Sequence, residues 1–72
     1  MTVHELFESE KIPLEFVEDF AESKGSEYWD SCVKFLNEKW QAVVEDLTER
    51  QSSWLDRILE DCIEARIERG GR

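Results

Sequence analysis

The fold is decided by residues 26–70, SEYWDSCVKFLNEKWQAVVEDLTERQSSWLDRILEDCIEARIERG, which contain no proline and no glycine before Gly70. Within them Trp29, Val33, Leu36, Trp40, Val43 and Leu47 recur at alternating spacings of four and three, the period of an α-helix that presents a seam to another helix. Tyr28, Cys32 and Phe35 form a second apolar strip more than a quarter-turn away. It is confined to the first half of the stretch, as expected of a helix that touches two neighbours there. Ser26 can cap this helix at its start. Thr48 and Gln51 then have the spacing of a capping box, in which a threonine hydroxyl and a glutamine side chain satisfy each other's orphan amides. That pair starts a new helix, whose core face is Leu55, Ile58, Leu59, Cys62 and Ala65. The resulting expectation is two antiparallel helices, about 27–47 and 49–69, turning at Leu47-Thr48. In that register Trp40 would face Leu55, Leu36 would face Leu59 and Val33 would face Cys62. A single helix of more than forty residues is the rival, and it would leave its apolar stripe bare unless two chains paired along it.

Working outward, Thr2 and Glu5 have the same capping-box spacing and open a short helix over about 3–10. Pro13 lacks a donor and suits the first turn of a second helix, about 13–24, with Gly25 available for the left-handed position that ends it. Leu14, Val17, Phe20 and Ala21 share one face of this helix, and Glu15, Glu18, Asp19 and Glu22 share the other. The expected fold class is therefore all-α: a single domain over 1–72, a bundle of about four helices in which two short N-terminal helices pack on a long antiparallel helical hairpin. A short tail, 70–72, follows.

A chain of 72 residues is close to the lower limit for a self-sufficient apolar core, so its stability is expected to be small. No apolar run reaches the length of a membrane span and no basic segment precedes one. A soluble, cytoplasmic protein is expected, with no membrane partner. The net charge is −9, and it is uneven. Residues 1–30 hold nine carboxylates against Lys11 and Lys24, which places seven of the nine excess negative charges there. Such a field repels nucleic acid and attracts basic protein surfaces, including those that themselves hold nucleic acid.

The residues offer little for catalysis. His4-Glu5-Leu6-Phe7-Glu8 begins like a zinc-protease HExxH, but position 8 is glutamate and no second histidine exists. His4 reads as a first-turn surface residue. Cys32 and Cys62 would lie level in the hairpin, where a disulfide is geometrically conceivable; two buried free thiols are the expectation for an intracellular chain. Two thiols and one distant histidine do not make a metal site. No serine or cysteine has an evident base, and no phosphate-cradling glycine loop occurs. The expectation is a non-enzyme without metal or cofactor. The ending Arg69-Gly70-Gly71-Arg72 resembles the tail of ubiquitin-like modifiers, whose β-grasp fold the helical pattern contradicts.

In size, charge and helicity the chain resembles small acidic helical immunity proteins, acidic antitoxins and phage or mobile-element inhibitors. The uneven charge and the carboxylate face of the second helix point to a stoichiometric inhibitor or regulator, acting as a nucleic-acid mimic toward a partner protein with a basic surface. Its binding residues would be Glu15, Glu18, Asp19 and Glu22, with the edge aromatics Phe16 and Trp54. The competing expectation is a structural protein that homodimerises through the Trp29–Leu47 seam.

Overall fold

In the computed structural model, residues 1–70 are described, with side chains through 68. They form four α-helices: α1 (Val3–Ser9), α2 (Leu14–Lys24), α3 (Glu27–Lys39) and α4 (Glu49–Gly70). No β-strand forms among them, so the chain is a small all-α bundle. From residue 71 on, the expected tail lies outside the described residues.

The caps explain the boundaries. At α1 the Glu5 amide donates to the Thr2 hydroxyl (3.1 Å) and the Thr2 amide donates to the Glu5 carboxylate (2.7 Å), a closed capping box. The Thr2 amide is the main reason that the Glu5 carboxyl titrates below the ordinary carboxylate range. Ser26 caps α3 by accepting from the Trp29 amide (3.2 Å). Thr48 and Gln51 close a second box at 3.1 and 3.0 Å, which starts α4. Gly25 ends α2 with φ 58°, the left-handed region that suits a residue without a Cβ.

The link from α1 to α2 uses the same device with a less usual residue. Ile12 N–H donates to the Phe7 carbonyl (3.0 Å) and Lys11 N–H to the Glu8 carbonyl (2.9 Å), the two bonds of a Schellman motif. Lys11 occupies the left-handed position at φ 60°, where glycine is the common choice. Ile12 and Phe7, the apolar pair that accompanies such a motif, are both fully buried.

The third helix departs from expectation. It ends at Lys39, eight residues short of Leu47, and residues 40–48 leave the helical path. The physical reason is pairing with the N-terminal segment. Thr2 and Val43 form an isolated antiparallel bridge. Val3 N–H donates to the Ala42 carbonyl (2.9 Å), His4 N–H to the Trp40 carbonyl (2.9 Å) and Val44 N–H to the Met1 carbonyl (2.8 Å). The first helical amides need acceptors, and Trp40 and Ala42, just past α3, supply carbonyls to them. A 3-10 turn, Val44–Asp46, then leads to the Thr48 cap. The continuous-helix alternative is thus replaced by two helices with a docked connection.

The most extensive backbone contact between helices is that of α2 with α3, followed by α2 with α4. Larger side chains fill the space between α3 and α4: Phe35 stacks on Trp54 with ring centroids 4.4 Å apart and planes at 17°. The core joins Val3 and Phe7 of α1, Ile12, Val17 and Ala21, then Trp29, Cys32, Phe35 and Leu36 of α3, and Leu55, Ile58, Leu59, Cys62 and Ala65 of α4. All five residues expected on the core face of α4 are buried. In α3, Cys32 and Phe35 of the second strip are buried more fully than Val33 of the expected seam. Trp40 finds its aromatic neighbours in α1, stacking on His4 at 5.2 Å and tilting against Phe7 at 5.5 Å.

Two substitutions test these boundaries. Thr48→Ala, which opens the α4 capping box, is expected to cost about 1 kcal/mol in urea unfolding. Lys11→Gly is expected to stabilise by about 0.5 kcal/mol or more, because removal of the Cβ strain outweighs the added freedom of the unfolded chain. A loss of stability in the glycine variant would contradict the left-handed conformation at residue 11.

Candidate protein-docking surface

Helix α2 buries Val17 and Ala21 and half-buries Leu14 and Phe20, so its opposite side must face solvent. Glu15, Glu18, Asp19 and Glu22 are all exposed there, at spacings of three and four that put them on one face. None forms an ion pair among the described residues; the ion pairs found are Met1 to Glu45 and His4 to Glu8. Like charges at these spacings repel by a few tenths of a kcal/mol per pair. Glu15 recovers part of that at the positive end of α2, where Pro13 provides no side-chain cap. Glu22 lies toward the negative end and gains nothing from the dipole. The last-turn lysine, Lys24, is turned over the Phe20 ring, 5.2 Å from its centroid, and forms no ion pair with the carboxylates.

The two edge aromatics have different settings. Phe16 is half-buried and packs on the core from α2, the helix that bears the acidic face. Trp54, on α4, is held by its stack on Phe35 of α3. Its indole N–H is buried and has no acceptor of good hydrogen-bond geometry, although the Cys32 sulfur lies close enough to interact with it. Arg66 Nε is a second buried donor without a partner among the described residues.

Two open grooves border this surface. The larger, about 380 Å³, lies where the α1–α2 connection meets Trp40, and both Glu8 and Glu15 line it. The smaller, about 240 Å³, lies between Phe20 and Trp29 on one side and Asp61, Glu64 and Glu68 of α4 on the other. Carboxylates of α4 therefore approach the edge of α2, which sequence periodicity alone did not indicate. His4, expected on the surface, is half-buried by its stack on Trp40 and belongs to the larger groove.

Cys32 and Cys62 are both free and fully buried. Burial pushes the Cys62 thiol up to about 12, with Asp61 and Cys32 adding to the effect. Burial raises Cys32 as well; the neighbouring Trp54 N–H and Tyr28 hydroxyl offset part of this, and Asp61 adds to it. Thiols held in this way are poor nucleophiles near neutral pH. Among the described residues no three His, Cys, Asp or Glu side chains converge as a metal site would require, and no helix is long and apolar enough to cross a membrane.

The fold and surface define a small helical bundle in which α2 carries a face of exposed carboxylates without ion partners among the described residues. No protein-family model matches the chain, and neither the curated proteins nor the solved structures give a match.

The thiols give a pH prediction. Because Cys62 is held neutral in the folded chain up to about 12 against an ordinary 9, its stabilising effect is complete below pH 9 and lost as pH rises through 9 toward 12. Urea unfolding between pH 8 and 10.5 should show stability falling with pH, with a shallower slope in Cys62→Ala. Equal slopes would contradict the buried neutral thiol.

Proposed function

We propose that this chain is a stoichiometric inhibitor or regulator that docks its acidic face on a basic surface of a partner protein, of the kind that holds nucleic acid. The observation that carries the reading is the α2 face: four exposed carboxylates with no ion partner among the described residues, opposite a helix side committed to the core. Keeping four like charges adjacent costs the folded chain stability. A row of Lys and Arg on a partner would turn that cost into charge-assisted hydrogen bonds. Phe16, on the same helix, is the apolar contact assigned beside the carboxylates, and Trp54 is assigned to the periphery of the surface. In this reading α3 and α4 form the antiparallel pair that carries α1 and α2, the protein acts in the cytoplasm without enzymatic activity or cofactor, and it does not itself bind nucleic acid. A phage or mobile-element origin fits the size and charge.

Homodimerisation through the Trp29–Leu47 seam has less support. Trp29 and Leu36 are already buried within one chain, and the helix that would extend the seam ends at Lys39.

Affinity capture from the encoding organism, at low and high salt, tests the proposal. Changing Glu15, Glu18 and Glu22 to Gln and Asp19 to Asn should weaken the complex by on the order of 3 kcal/mol, more than a hundredfold in Kd, while the melting temperature stays level or rises. Glu38, Asp46, Asp56 and Glu60 are the control set, exposed and outside both grooves. The proposal fails if both sets weaken binding equally, or if the captured partner resists high salt.

A further inference from the structure

The larger groove has a more specific construction than the acidic face beside it. Its floor is apolar: Ile12 is fully buried, Leu14 and Trp40 are half-buried, and Pro13 completes it. Trp40 cannot easily swing away, because His4 stacks on its ring and Phe7 packs against it, while its own carbonyl accepts from the His4 amide. The left-handed Lys11 reverses the chain between Glu8 and Ile12 and so brings residues 11–13 to the groove. The backbone strain at this point is a feature that binding sites tend to hold.

Charge indicates what such a groove would take. Helices α1 and α2, which supply Glu8 and Glu15 to its lining, together carry six carboxylates (Glu5, Glu8, Glu15, Glu18, Asp19 and Glu22) and a single lysine, Lys24. Among the described residues lining the groove, Lys11 carries the only fixed positive charge. At about 380 Å³ it lies at the small end of the range for ligand pockets, room for one large side chain with part of its backbone.

We propose that this groove receives an apolar side chain of the partner, flanked in sequence by lysine or arginine, so that the side chain fills the space over Ile12, Leu14 and Trp40 while its basic neighbours meet Glu8 and Glu15. The inference rests on the acidic-docking reading and deepens it, since it divides recognition into a charged face that attracts and an apolar anchor that selects. Anchors of this kind, apolar at the centre and charged at the rim, carry most of the energy in protein interfaces.

The test uses the ¹⁵N-labelled full chain and two capped peptides, Lys-Arg-Leu-Arg-Lys and Lys-Arg-Gly-Arg-Lys. The leucine peptide is expected to shift the Trp40 indole N–H and the Ile12 and Leu14 amides, and to bind at least tenfold more tightly than the glycine peptide. Glu8→Trp, which fills the groove from an exposed helical position, should weaken the leucine peptide at least tenfold; Glu8→Gln, which removes only charge, should weaken it about threefold. Equal binding of the two peptides, with shifts along Glu15–Glu22 and none at Trp40, would overturn the groove and leave the acidic face standing. Absence of binding by either peptide would also overturn it, with the acidic face then judged by the four-carboxylate variant alone. Shifts at Trp40 that follow the protein's own concentration without peptide would assign the groove to a second copy of the chain and overturn the proposal.

Discussion

The rest of the structure depends on the clasp between the first four residues and residues 40–44. Three backbone hydrogen bonds of 2.8–2.9 Å, from Val3, His4 and Val44, fasten the N-terminus to the end of α3. The Met1 amino group adds an exposed ion pair to Glu45 at 3.3 Å. Glu45 titrates below the ordinary carboxylate range, chiefly through its own backbone amide and then through that amino group. An isolated helix gains one hydrogen bond for each residue added, so α3 would be expected to continue through Trp40, Val43 and Leu47. Past Lys39 the Trp40 and Ala42 carbonyls accept instead from the amides at the start of α1, and the Trp40 ring stacks on His4 and tilts against Phe7.

From this single constraint follow the placement of α1, the separation of α3 from α4 and the existence of the larger groove. If α1 were not held beside the segment after α3, Trp40 would lose its stack on His4, and Glu8 would not line the same groove as Glu15. The acidic face of α2 is less dependent on the clasp. It is fixed by the helical period and by the burial of Val17 and Ala21.

That difference decides what was legible in the sequence. Short-range signals read correctly: the two capping boxes, the Ser26 cap and Gly25 each involve residues within four positions of one another, and each is present with the expected geometry. The acidic face was legible for the same reason. The break at 40–48 was not, since Trp40, Val43 and Leu47 keep a helical period with no glycine or proline to mark an end, and the partner that breaks the helix lies some forty residues away. The Schellman turn at Lys11 was hidden because a lysine stands where glycine would have signalled it. The setting of Trp54 depended on its stack with Phe35, a contact whose register a Leu47-Thr48 turn predicts incorrectly. Periodicity could place Trp54 at the edge of a stripe and no further.

The clasp is tested most directly by hydrogen exchange of individual backbone amides, because it makes a claim about residues that a continuous helix would treat differently. With the clasp in place, the Val3, His4 and Val44 amides are protected to nearly the level of those in α2 and α3. Free-peptide exchange at Val3 and His4, together with helical protection running unbroken from Trp40 through Thr48, would contradict it and restore the single long helix.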